Sequence, residues 1–158
     1  MAHWGSTAWI VERDRILRDW FGDVEAYKFL VLISRITELW DDIVDGDKEL
    51  EASRINKVFF DAMILLPSDP FYMKHREHLT PLLIAAINSW QDANVLATGD
   101  RNQKALAYTL RNMDIQIVQA IIYITRGYDV MRDLGPAVWT LFAADQDDIL
   151  TWIEGSGT

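Results

Sequence analysis

The sequence predicts an all-α protein, a helical bundle of about four long helices with short helices at its C-terminal end. Three observations carry that expectation. Long stretches free of Gly and Pro have apolar residues three and four apart. Gly22, Gly46, Gly99 and Gly127 stand where these stretches stop, while Asp23, Asp69 and Asp100 stand where others begin. Alternation with period two occurs only in short segments, so no sheet is expected.

Taken in order, the first helix is expected from Ala8 to Phe21, with Ile10, Leu17, Trp20 and Phe21 buried and Gly22 at its left-handed end. Asp23 is placed to cap a second helix from Val24 to about Val44, which Gly46 closes. Asp47 would cap a third from about Lys48 to Leu65, with Ile55, Val58, Phe59, Ala62 and Leu66 as its core face, before Pro67 ends it. Asp69-Pro70 reads as cap and first helical residue of a short helix through His78, and Thr80-Pro81 opens another that runs to Thr98. Asp100 caps the longest helix, Arg101 to Arg126, roughly 40 Å by its length. Its seam is Leu106, Leu110, Met113, Ile117, Ile121 and Ile124. From Tyr128 to Glu154, Gly135-Pro136 and the acidic 145–148 segment divide two or three short helices. Residues 1–154 read as one domain and 155–158 as a flexible tail.

Composition narrows the partners. With 158 residues, half of them hydrophobic, the chain can bury a core without staples. Its net charge of −9 argues against nucleic acid and against an anionic membrane surface. The same charge favours basic partners or divalent cations. Cysteine is absent, which excludes disulfides and thiol chemistry. No apolar run approaches the roughly 20 residues of a bilayer span, and the first residues lack the pattern of a secretory signal. A cytoplasmic or virion-associated location is the expectation. Seven tryptophans, spread from Trp4 to Trp152, suggest core and interface anchors.

The chemically suggestive stretch is Glu38-Leu-Trp-Asp-Asp-Ile-Val-Asp-Gly-Asp47. On a helix, Glu38, Asp41, Asp42 and Asp45 fall in one wedge about 100° wide. Like charges at these spacings repel, and carboxylates oppose the dipole at a helix C-terminus. A cation would relieve both, and carboxylate oxygens on one face suit Mg²⁺ or Mn²⁺. The competing account is a solvated helix end whose acids pair with Lys48, Arg54 or Arg35.

Asp41-Asp42-Ile43-Val44-Asp45 resembles the aspartate-rich DDxxD box of class I isoprenoid synthases. That resemblance implies Asp41 and Asp45 as Mg²⁺ ligands, Asp42 as an auxiliary acid, and a diphosphate substrate. The family's second metal motif would fall on Asn88, Asp92 and Leu96, the last of which cannot ligate. The Glu38/Asp41 and Asp42/Asp45 pairs also resemble the acid helix of all-α nucleoside triphosphate pyrophosphatases. Over a longer span, Trp40–Asp47, Asp69–Tyr72, Ala86–Asn94 and Tyr123–Arg132 resemble small helical proteins of bacteriophage genomes.

Other polar groups complete the survey. Asn88 and Asp92 share a face and are candidates to touch a substrate or to support the metal ligands. Asn94 falls on the apolar side and needs a hydrogen-bond partner. Arg111 and Lys104 share a stripe and could hold phosphate, or Arg111 could pair with Asp114. His75 and His78 have zinc spacing without a third ligand in the neighbouring sequence. The resulting expectation is an acidic module acting through a protein partner or self-association, virion-associated or in host takeover. The alternative is a Mg²⁺-dependent enzyme on a diphosphate-containing substrate, with Asp41, Asp45, Glu38 and Asp42 at the metal.

Overall fold

The computed structural model describes residues 7–46, 49–143 and 149–155, and among these every regular element is helical. The all-α expectation is met. No helix among them is long and apolar enough to cross a membrane. The chain forms two compact units: Asp23–Arg76, and the stretch up to Gly22 together with Glu77 onward.

The Asp23–Arg76 unit is built on α2 (Val24–Asp45). Its boundaries follow the sequence signals. Asp23 accepts hydrogen bonds from the backbone N–H of Glu25 at 2.8 Å and Ala26 at 3.2 Å, and Gly46 closes the helix at φ 67°. Ala26, Tyr27, Phe29, Leu30, Leu32 and Ile33 are buried around the first half of α2, whereas only Leu39 and Asp42 are buried further on. Phe29 stacks on Tyr72 with ring centroids 6.0 Å apart and tilts against Phe71 at 5.7 Å.

Next come α3 (Ala52–Phe60), a π-helical turn (Asp61–Leu65) and the single turn α4 (Leu66–Ser68). Asp47 and Lys48, the expected start of this helix, lie outside the described residues, and the helix begins at Ala52 behind Glu51. The π turn is closed by the Leu66 N–H donating to the Asp61 carbonyl. It stands just before Pro67, which has no N–H and whose ring would strike a carbonyl four residues back in a regular helix. A wider turn carries one extra residue and re-aims the side chains around it.

Three breaks differ from expectation. The helix α5 (Pro70–Leu96) starts at the Asp69-Pro70 signal, with Asp69 Oδ1 accepting from Tyr72 N, but continues through Thr80-Pro81. Its interruption is at His75, whose φ of −119° and ψ of 15° leave the helical region. The long helix expected over Arg101–Arg126 is two, α6 (Arg101–Arg111) and α7 (Ile115–Arg126). Between them Asn112, Met113, Ile115, Gln116 and Ile117 donate to carbonyls three residues back. The Asn112 side chain donates to the Tyr108 carbonyl, a local bond that competes with helix propagation. The third is α8 (Tyr128–Ala143), which runs unbroken through Gly135-Pro136. Packing on α7 overrides propensity there, and Gln119 donates to the Gly135 carbonyl.

In this second unit, α1 (Thr7–Phe21) packs on α7, α7 packs on α8, and α6 packs on α9 (Ile149–Gly155). Leu17, Phe21, Ile115, Val118, Ile121, Ile122 and Val138 are among its buried residues. Ile10 and Leu106, expected in the core, are exposed. Arg126 donates to the Asp19 carbonyl at the end of α1, and a Cβ at Gly22 would meet its Nη1 at 3.0 Å. Asp100 and Gln103 form a reciprocal capping box at the start of α6. Gly155 ends α9; the rest of the expected tail lies outside the described residues.

At the α6–α7 break, surrounding protein pushes the Asp114 carboxyl above its ordinary value of 3.8 by desolvation, against lowering hydrogen bonds from the backbone of Ile115 and Asp114. A raised folded value means protonation favours the folded state. That contribution is present below pH 3.8 and lost as pH rises through the folded value. Because the residue has an exposed surface, Asp114→Asn is expected to stabilise by no more than about 0.5 kcal/mol at neutral pH, with the gain vanishing in acid. Thermal melts of both proteins against pH check this.

Candidate functional site

The acids at the end of α2 do not share one environment. Glu38 and Asp45 are exposed, Asp41 is half-buried, and Asp42 is only 7% exposed. Asp42 Oδ2 lies 2.8 Å from Arg54 Nη1, so one of the proposed compensating arginines neutralises one of the four acids. Among the described residues no group of three or more His, Asp or Glu side chains is arranged to hold a metal ion.

Arg35 goes elsewhere. Its Nη2 stands 3.1 Å from Oδ2 of Asp61, a residue of the π turn that is 2% exposed. The contact is off the hydrogen-bonding direction: Asp61 Oδ2 and Arg35 Nε are buried without a hydrogen-bond partner. The attraction is therefore chiefly coulombic. Sequence reasoning passed over this pair, although a lone Asp in the run Val58-Phe-Phe-Asp-Ala-Met-Ile-Leu-Leu66 was the available signal.

Together the pairs join α3 and the π turn to α2, and the side of the segment turned away from them is apolar. The charged Asp61 faces inward, while Phe59 is 66% exposed, Met63 59% and Phe60 53%. Ile55 and Ile64 are exposed as well. Of the core face expected for this helix, Val58 is buried, Ala62 and Leu66 are half-buried, and Ile55 and Phe59 turn to solvent. The pattern was misread because the segment is apolar all round, and periodicity cannot then say which side is covered.

The remaining candidates, Asn88, Asp92, Lys104 and Arg111, belong to the other unit. Asn88 and Asp92 are exposed on α5. Lys104 Nζ donates to the Ile153 carbonyl at 3.3 Å, beside an edge-on Tyr108–Trp152 contact, tying α6 to α9. Arg111 Nη2 donates to Asn94 Oδ1 at 2.8 Å, which supplies the partner that Asn94 needs. His75 is half-buried against Phe71 with centroids 4.7 Å apart, while His78 is exposed. Trp20, Trp40, Trp90, Trp139 and Trp152 are half-buried, and the apolar face on α3 is made of Phe, Met and Ile instead.

No family model, curated protein or solved structure matches the chain. The site must be read from its own geometry.

The inward carboxylate gives an asymmetric expectation. Arg35 is 42% exposed and can be solvated alone, whereas Asp61 cannot. Arg35→Ala should therefore cost about 2–4 kcal/mol by stranding a buried charge. Asp61→Ala should cost less, and the double variant should recover most of the Arg35→Ala loss. Urea unfolding of the three proteins tests this; equal costs for the two single variants would contradict it.

Proposed function

We propose that the chain is a protein–protein interaction module, of the kind encoded in bacteriophage genomes, with a virion-associated or host-takeover role. Its contact surface is the outward face of α3 and the π turn. The observation that carries this reading is the inverted helix, with a carboxylate inside and two phenylalanines and a methionine outside. Ile55, Phe59, Phe60, Met63 and Ile64 leave roughly 500 Å² of apolar side chain in water, at the upper end for a monomer's largest patch. Covering it would contribute about 10 kcal/mol as an upper estimate. The Arg35–Asp61 pair, its carboxylate buried and its hydrogen bonds incomplete, does not offset an omission of that size. A face held outward at such cost is understandable if a partner covers it.

The competing reading, Mg²⁺-dependent diphosphate chemistry, would rest on Asp41 and Asp45 with Glu38, and would leave Asp42 to Arg54. A metal titration separates the two. On the interaction reading, millimolar Mg²⁺ or Mn²⁺ leaves the melting temperature unchanged in the wild type and in the Asp41→Ala/Asp45→Ala variant. A metal-dependent rise confined to the wild type would transfer the site to the acids.

For the interaction reading itself, a photo-crosslinking residue in place of Phe60 should give a discrete protein adduct in the expressing cell. The same residue at exposed Val95 should not. Diffuse or absent adducts at both positions would remove the support for this face.

A further inference from the structure

We infer that the occupant of the apolar face is a second copy of this chain, joined in a two-fold symmetric contact of α3 and π turn on α3 and π turn. The inference rests on the reading of this face as an interaction surface. Ile55, Phe59 and Met63 form one row at four-residue spacing, and Phe60 and Ile64 form a second beside it. Identical rows of this spacing interdigitate when two such helices cross. A two-fold contact presents the same patch from both copies, so the surface need only be complementary to itself.

Area and charge favour a copy over a different protein. Roughly 500 Å² from each copy gives about 1,000 Å² in total, which reaches the floor for a specific interface before rim residues are added. Across Ile55–Ile64 the ionisable side chains are Asp61, which points inward to Arg35, and Lys57, which is exposed one turn before Phe60 and stands outside the two apolar rows. The two apolar rows thus carry no charge with which to select a basic or acidic partner, and Lys57 is a cation at their border. Within those rows a two-fold contact places no like charges opposite one another, despite a net charge of −9 on each chain. Interfaces between identical subunits are the more apolar class, with charge depleted from their centres.

Sedimentation equilibrium of the full chain tests this. The wild type should dimerise with a dissociation constant on the order of 10 µM. Phe59→Glu/Met63→Glu should weaken association at least 100-fold, because each substitution occurs on both copies, with unchanged helicity by circular dichroism. Val95→Glu, at an exposed apolar position of the other unit, should leave the dimer intact. A dimer that survives Phe59→Glu/Met63→Glu, or one that Val95→Glu abolishes, overturns the proposal. Should the double variant lose helicity, hydroxyl-radical labelling of wild-type Phe59, Phe60 and Met63 decides, since protection must grow with protein concentration.

A wild type that stays monomeric also overturns it, and labelling then shows how much falls. Rapid labelling of the three residues removes the second copy but leaves a different protein as partner. Protection in the monomer removes the interaction face as well.

Discussion

Burial of the Asp61 carboxylate against Arg35 is the constraint on which the Asp23–Arg76 unit turns. Taking a carboxylate out of water costs several kcal/mol, and an attraction without directed hydrogen bonds returns only part of it. The pair is therefore a weak source of stability and a strong selector of orientation. With Asp61 fixed inward, a segment apolar all round has one rotational setting about α2. The Arg54–Asp42 pair enforces the same setting about two turns earlier in α3. The π turn belongs to this arrangement, because the extra residue lets Asp61 reach inward while the chain goes on to Pro67.

The acidic end of α2 takes on a different meaning in this light. Four acids on one wedge suggested a single multivalent site, yet burial separates them. Asp42 is a structural carboxylate, and Glu38 and Asp45 belong to the water-facing surface. A helical wheel assigns directions, not depths. What differs along α2 is how much of the neighbouring chain stands beside each turn, and that is set by α3, more than ten residues away in sequence.

Legibility of the fold followed the range of the interactions responsible. Asp23, Gly46, Asp69 and Asp100 act within four residues of themselves, and each boundary they mark was readable. Breaks at His75 and Asn112 were not, because a histidine or asparagine inside a helix carries no decisive local penalty. Gly135-Pro136 misled in the other direction: packing of α8 on α7 holds together a helix that propensity alone would divide. Asn94 was expected to need a partner and Arg111 to hold phosphate or pair with Asp114, but nothing local said that the two would meet one another. The inverted face of α3 was the hardest to foresee, since the expected rule places phenylalanine inside and aspartate outside.

Asp61 also matters before there is a fold. The run from Val58 to Leu66 is rich in aromatic and aliphatic residues and free of Gly and Pro, the composition of a segment that pairs with copies of itself as extended strands. In an unfolded chain its single charge interrupts that tendency, as gatekeeper residues do. One carboxylate thus serves twice, keeping nascent chains apart and then turning inward to hold the same apolar residues outward. Replacing the Arg35–Asp61 pair by a well-packed apolar couple would discard both services at once, leaving a run with no charge to keep unfolded chains apart and none to choose which side of α3 faces α2.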